Sequence, residues 1–385
     1  MGCKRVFQLE VFGDVCRKIG YCLQETKDIS LLGVRKGAGV SRKDAIKGLS
    51  LLIHFKIVGF TNYTGRGVRY FLRAETPPML HFPVYVDYAE RVFGVQGAQI
   101  LTEVLMRGSL KMRQIPEEMQ ECARRMIREG VLVEEAESSV KKLKEEDPSV
   151  KFCDRNVSTK ILCEILCRDV EKAFDEKTRR VLCEIRKFHP AAAHLARLQE
   201  ACKNTDLCNA LHTRIKYLIG YEVVTGGYEM YHVNLESYLE KAKKEAAVEY
   251  CAMFLGGAAA TVLSMLLARG YVEDRFVQKH LLMQPAECKK VLFLLLSEGL
   301  INVQMVPRTA ECAPSKSFHM WSACKRKTSQ AVERKVREKI NESYAGLAAL
   351  KENRAYIAAG EGRSRTDALY SALERLHMMG FILGL

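Results

Sequence analysis

Residues 256–321 read GGAAATVLSMLLARGYVEDRFVQKHLLMQPAECKKVLFLLLSEGLINVQMVPRTAECAPSKSFHMW. Pro285 suits the first turn of a helix, where its missing N–H is not needed. Four apolar residues follow at i, i+3, i+4 and i+7 spacing: Cys288, Val291, Leu292 and Leu295. This spacing places them on one helix face, while Lys289 and Lys290 fall on another.

The end of the same stretch predicts a β-hairpin. Gly299 is placed to end the helix, as a glycine just past a C-cap does. Residues 300–306 then read as a strand, a proline-containing loop follows, and residues 317–321 read as the return strand. Three helices and a hairpin within about 70 residues are typical of a winged helix, a helix-turn-helix with an added wing.

The N-terminal region repeats this plan. Ser41 is a good N-cap for a helix whose periodicity buries Ala45, Leu49, Leu52 and Ile53. Arg42, Lys43 and Lys47 fall on the opposite face. Residues 57–61 and 68–72 read as a hairpin with a glycine-containing loop, so a tandem array is predicted.

The whole chain is predicted to be mainly α, with small β-hairpin wings, as tandem winged-helix domains followed by a helical hairpin. In the third wing, Gly226-Gly227 predicts a two-residue turn. The predicted divisions are winged helix 1 (1–76), winged helix 2, trimmed and with little wing (83–135), a charged linker (136–151), winged helix 3 with flanking helices (152–255), winged helix 4 (256–324) and a helical hairpin or coiled coil (325–385).

The excess of basic residues indicates which kinds of partner the chain could bind. Of 385 residues, 60 are Lys or Arg and 46 are Asp or Glu, giving a formal net charge of +14. A basic balance suits nucleic acid, an acidic partner or a membrane surface. Residues 250–268 carry no charge and are nominally long enough to span a membrane, but Gly256-Gly257 inside them favours a break between two buried helices.

Neither a metal nor a catalytic centre is predicted. The 14 cysteines form no C-x-x-C pair, and none of the close pairs has a histidine at zinc-ligand spacing. The sequence has no P-loop, no H-E-x-x-H, no G-x-S-x-G and no D-x-D cluster. We therefore expect a non-enzymatic protein without a cofactor or metal.

The fourth predicted wing resembles one family. The segment LSEGLINVQMVPRTAECAPSKSFHMW is similar to the fourth winged helix of the tandem winged-helix subunit of RNA polymerase III. That subunit is a member of the initiation heterotrimer and is related to the alpha subunit of transcription factor IIE. The likeness rests on Leu296, Ser297, Glu298, Pro307, Thr309, Ala313, Pro314, Ser315 and Phe318. GGYEMYHVNLESYLEKA, FGDVCRKIGYCL and DAIKGLSLLIHFKIVGF also resemble parts of that family.

The resemblance implies a nuclear, non-catalytic polymerase subunit. Its expected partners are two heterotrimer subunits, the polymerase clamp, initiation factors and double-stranded promoter DNA, with no membrane, and its role is promoter opening at small structured-RNA genes. A free-standing winged-helix transcription factor and an architectural scaffold remain alternatives from the residues alone.

Candidate binding residues follow from helix starts, wing loops and apolar seams. Lysine suits phosphate as a point charge, whereas base reading favours Arg or Asn forks. We therefore expect weak, nearly sequence-independent DNA contact through Arg42, Lys43, Lys47, Arg66, Lys289, Lys290, Arg308 and Lys316. The expected partner-binding residues in the C-terminal hairpin are Ile340, Leu347 and Leu350.

Overall fold

The computed structural model describes residues 13–26, 28–54, 57–63, 67–72, 81–135, 149–189, 191–203, 210–307, 317–352 and 361–385. The chain divides into two compact units, Met1–Thr159 and Lys160–Leu385. Within these described ranges the strands form four antiparallel sheets of three strands each, and the rest is mainly helix. The predicted fold class, helical winged-helix repeats with small wings, is confirmed.

The first unit begins with a winged helix. Its elements are α1 (Asp14–Glu25), β1 (Ile29–Ser30), α2 (Leu31–Ala38), α3 (Arg42–His54), β2 (Val58–Tyr63) and β3 (Gly67–Leu72). The sheet order is β1-β3-β2, so the strand before α2 closes one edge of the hairpin. Ile19, Val34 and Leu52 are fully buried at the centre of the core that joins the three helices to the sheet.

A second winged helix completes this unit. Its elements are α4 (Phe82–Arg107), β4 (Leu110–Lys111), a 3-10 turn (Met112–Gln114), α5 (Glu117–Arg128), β5 (Leu132–Glu135) and β6 (Ser149–Phe152). Gly94 has φ 76°, which kinks α4. The prediction of little wing is wrong, because Leu132 pairs with Phe152 and Glu135 with Ser149. Residues 149–151, assigned to a linker, belong to the return strand of this wing.

The third winged helix lies in the second unit. The helix α6 (Asp154–Ala173) crosses the unit boundary and leads into it. Its elements are α7 (Glu176–Arg186), β7 (Ala193–His194), α8 (Leu195–Cys202), α9 (Leu211–Gly220), β8 (Val224–Gly227) and β9 (Met230–Val233). The predicted Gly226-Gly227 turn is wrong: Gly227 pairs with Met230, so Tyr228 and Glu229 form the turn, with φ 52° and 64°.

The fourth winged helix follows α10 (Leu235–Phe254). Its elements are α11 (Gly257–Arg269), β10 (Tyr271–Glu273), α12 (Asp274–Leu281), α13 (Pro285–Ser297), β11 (Asn302–Pro307) and β12 (Ser317–Ser322). Gly256 has φ 96° and separates α10 from α11, so the expected break in the uncharged stretch is confirmed. Across the described residues, none of the helices combines the length and apolarity needed to cross a membrane.

One turn recurs in all four copies and sets the wing against the third helix. In each copy the N–H after that helix donates to the carbonyl five residues earlier, at 2.9–3.1 Å: Ile57 to Leu52, Val131 to Met126, Val223 to Leu218 and Leu300 to Leu295. This is the bond of a helix ending in a left-handed residue. Gly130, Glu222 and Gly299 supply that conformation in the last three copies.

The C-terminus forms the expected helical hairpin. Its helices are α14 (Lys325–Glu352) and α15 (Glu361–Gly384), which pack on each other and on α10. Thr328 is buried and its hydroxyl donates to the carbonyl of Leu300 at 2.8 Å, while Lys335 pairs with Glu298. These contacts tie α14 to the fourth winged helix.

Candidate nucleic-acid interface

The third helix of the first winged helix presents an unpaired basic face. Ser41 caps α3: its Oγ accepts from the Asp44 N–H at 3.1 Å and its hydroxyl donates to the Asp44 carboxylate at 2.6 Å. This cap starts the helix so that its apolar residues turn inward. Arg42, Lys43 and Lys47 are exposed, and no ion pair with a described residue holds any of them. These three side chains are available to an anionic ligand.

The fourth winged helix has a smaller basic face. Cys288, Val291, Leu292 and Leu295 are buried as the periodicity predicts. Lys289 and Lys290 are exposed on α13, and neither forms an ion pair with a described residue. The predicted wing-loop candidates Arg66, Arg308 and Lys316 lie outside the described residues.

The corresponding helix of the second winged helix differs in charge. The first turns of α5 carry Glu117, Glu118 and Glu121. Its cations Arg124 and Arg128 both pair with Glu121, at 3.4 and 2.9 Å. Carboxylates at this position repel phosphate, so α5 is unsuited to DNA. The acidic helix start was readable in the sequence.

Among its described residues, the third copy also lacks an unpaired basic cluster at its third helix. Arg214 on α9 is held by Asp175, the N-cap of α7, at 2.6 Å. Hydrogen bonds from Arg214 and Thr178 hold the pKa of the Asp175 carboxyl well below its usual range. This arginine therefore serves the packing of α7 against α9. Unpaired basic helix faces occur, among the described residues, in the first and fourth copies.

Sequence reasoning missed an apolar element beside each basic face. Phe293 on α13 is 59% exposed, and its ring meets Trp321 of β12 edge-on at 5.7 Å. Met305 on the neighbouring strand is 51% exposed. In the first copy Ile46 and Phe60 are 45% and 55% exposed. Helical and strand periodicity could not reveal this, because it cannot tell an apolar residue in the core from one at the rim.

The hairpin residues predicted to bind a partner are placed differently. Ile340 and Leu347 are 1% and 4% exposed and lie in the seam of this chain's own hairpin. Their assignment as partner-binding residues is wrong, because buried side chains offer no surface. Leu350 lies within α14, and its side chain is outside the described set. Within the part of the chain that the structure describes, no group of His, Cys, Asp and Glu could hold a metal ion.

Comparison of the sequence with known proteins finds a match in the region of the fourth winged helix. The family model described as "POLR3C, C-terminal winged-helix domain" matches residues 252–323. DNA-directed RNA polymerase III subunit RPC3 of Danio rerio is 28% identical over 96 residues, which cover 25% of this chain and 18% of that protein. RPC3 of Homo sapiens is 25% identical over 96 residues, which again cover 25% of this chain and 18% of that protein. RPC-3 of Coccidioides immitis is 30% identical over 66 residues, 17% of this chain and 10% of that protein.

The matched part of the chain spans about a fifth of the length of the first of these relatives. The matched residues include α11, α12, α13 and the β10-β12-β11 sheet, which together are a complete winged helix. Over residues 252–323, therefore, this chain is similar to the C-terminal winged-helix domain of the RNA polymerase III subunit RPC3.

Proposed function

We propose that the chain is a non-catalytic, nuclear subunit of DNA-directed RNA polymerase III that supports transcription initiation and promoter opening. The observation that carries this proposal is the RPC3-type winged helix at residues 252–323, set within a chain of four winged helices. Its proposed partners are two further subunits of an initiation heterotrimer, the polymerase clamp, initiation factors and promoter DNA. Co-purification of the tagged chain from its own cells tests this, and recovery without polymerase III subunits contradicts it.

DNA contact is proposed to be electrostatic and nearly independent of sequence. The exposed cations of α3 and α13 are mostly lysines, which neutralise phosphate without reading base edges. The contact residues are proposed to be Arg42, Lys43, Lys47 and Arg66 in the first copy and Lys289, Lys290, Arg308 and Lys316 in the fourth. A subunit held on the polymerase by protein contacts needs little DNA affinity of its own.

The test is binding of the full chain to two unrelated duplexes across a salt series. Changing Lys43 and Lys47 to Ala should reduce the salt slope by about 1.8 if both contact phosphate, at about 0.9 for each lost contact. The control changes Lys18 and Lys177, exposed lysines of other helices, to Ala and should leave the slope unchanged. A preference above about a thousandfold for one duplex would favour the free-standing transcription factor instead.

A second candidate function is an architectural scaffold whose helix–wing grooves bind protein. The exposed Phe293 and Met305 beside the basic face favour it, since large apolar side chains on a surface mark protein contacts more often than phosphate contacts. Phe293→Ala should then reduce co-purification of the partner subunits and leave duplex binding unchanged. Tyr217→Ala, which removes another half-exposed aromatic, is the matched control.

A further inference from the structure

Three cysteines and an arginine meet beside the third winged helix. Cys163 and Cys167 are one helical turn apart on α6, and Cys183 lies on α7. The Sγ atoms of Cys167 and Cys183 are 3.8 Å apart. The Arg186 guanidinium approaches the Cys167 Sγ to 4.0 Å. The two facing sulfurs are therefore in contact, with a cation beside them.

The facing thiols differ in access. Cys167 is 7% exposed, whereas Cys183 is only partly buried, so solvent reaches Cys183 more readily. The S–S bond of a disulfide measures about 2.05 Å, so the two sulfurs must approach by about 1.8 Å to bond. Side-chain rotation and a small shift between two helices joined by a short turn supply movement of this size.

The two thiols also differ in acidity. The hydrogen bond with Cys167, together with the Arg186 and Arg179 charges, lowers the pKa of Cys183 below the usual range of a thiol. The same hydrogen bond and burial raise the pKa of Cys167. Of the two thiols, Cys183 therefore loses its proton first. The thiolate is the reactive form of cysteine.

We propose that Cys183 and Cys167 are an oxidation site for hydrogen peroxide, which converts them to a reversible disulfide. The Cys183 thiolate attacks one peroxide oxygen and the O–O bond breaks. The other oxygen leaves as hydroxide, and Cys183 becomes a sulfenic acid. The Cys167 sulfur then attacks the Cys183 sulfur, the S–S bond forms, the S–O bond breaks, and water leaves. Two electrons pass from the two sulfurs to the peroxide: the Cys167 proton leaves in the water, and the hydroxide released in the first step takes a proton from solvent.

The disulfide would covalently join α6 to α7 at the start of the third winged helix. The N-cap of α7, Asp175, also holds Arg214 of α9. Oxidation therefore fixes α6 to a helix that is already tied to the third helix of this copy. A dithiol reductant restores the two thiols.

The experiment treats the reduced full chain with increasing hydrogen peroxide, blocks free thiols with N-ethylmaleimide and maps peptides by mass spectrometry. We expect a linked peptide joining Cys167 and Cys183 at a peroxide dose at least tenfold below that which consumes the exposed thiol of Cys324. Dithiothreitol should abolish the link. Loss of the Cys324 thiol before any such link forms would overturn the proposal, and this comparison needs no variant.

Two variants then test the order of attack. Cys167→Ser removes the second thiol, so a sulfenic acid should persist on Cys183 and be captured by dimedone. Cys183→Ser should leave Cys167 unlabelled, and Cys324→Ser should leave the disulfide unaffected. The alkylation rate of Cys183 should rise at a pH below the usual thiol pKa of about 8.5. Dimedone on Cys167 but not on Cys183 would refute the assigned roles.

Discussion

Substitution of Gly380 by Ala is expected to stabilise the second unit. Gly380 lies in α15 and is buried against α14. A Cβ added there would lie 3.5 Å from Cγ1 of Val336 and 3.8 Å from Cδ1 of Ile340, which are ordinary contact distances. The helical preference of Ala over Gly contributes about 1 kcal/mol. Burial of the added methyl group contributes up to about 0.8 kcal/mol to the free energy of unfolding. Fraying of α15 near its end reduces the total gain.

The net gain of about 1 kcal/mol corresponds to a rise in Tm of about 2–4 °C for a unit of this size. Trp321 is the only tryptophan of the chain, and it lies on the strand that leads into α14. Because Thr328 ties α14 to the fourth winged helix, Trp321 fluorescence should follow unfolding of this unit in heat and in urea.

A matched control makes the same substitution where the structure leaves no room. A Cβ at Gly226 in the third wing would lie 2.3 Å from the backbone oxygen of Met230. Gly226→Ala should therefore lower stability, by about 1–3 kcal/mol for an overpacked site. A fall in Tm for Gly380→Ala, or equal effects at the two positions, would refute the described packing of the hairpin.

Three further substitutions test other contacts. Leu347→Asp places an unpaired charge in the hairpin seam and should lower the free energy of unfolding by several kcal/mol, measured from the midpoint of urea unfolding. An unchanged midpoint would contradict the burial of Leu347 in that seam. Tyr85→Phe removes the buried hydroxyl that donates to Asp154 and should lower the free energy of unfolding by about 1–3 kcal/mol, measured by circular dichroism. An unchanged melting curve would show that this hydrogen bond does not stabilise the fold. Asp175→Asn should lower Tm at pH 7, because the pKa of Asp175 is depressed first by Arg214 and its contribution is complete above the usual value of 3.8. As the pH falls below about 4 the wild type loses this contribution, so the two melting curves should converge, and a gap that widens would contradict the assignment.

Local chemistry in the sequence was enough for much of the fold. Ser41 begins its helix as predicted, and Gly256 and Gly299 lie at the predicted helix ends with φ 96° and 71°. Caps, glycine turns and apolar periodicity act over a few residues, so they can be read along the chain. The resemblance at the fourth wing likewise rests on contiguous residues and agrees with the matched family domain. Apart from the linker boundary at residues 149–151, the predicted domain boundaries and the DNA-binding residues remain predictions.

Contacts between distant segments were decided by the tertiary structure. The two strands of the second wing, β5 and β6, pair although 13 residues separate them in the sequence. A pattern of neighbouring residues cannot predict a backbone hydrogen bond between segments that far apart. The Gly-Gly signal in the third wing was overridden by strand register, which placed Tyr228 and Glu229 in the turn. Periodicity assigned Leu347 to an apolar seam, but only packing showed that the seam is closed within this chain. The approach of Cys167 to Cys183 has the same origin, because it depends on how two helices face each other rather than on the order of their residues.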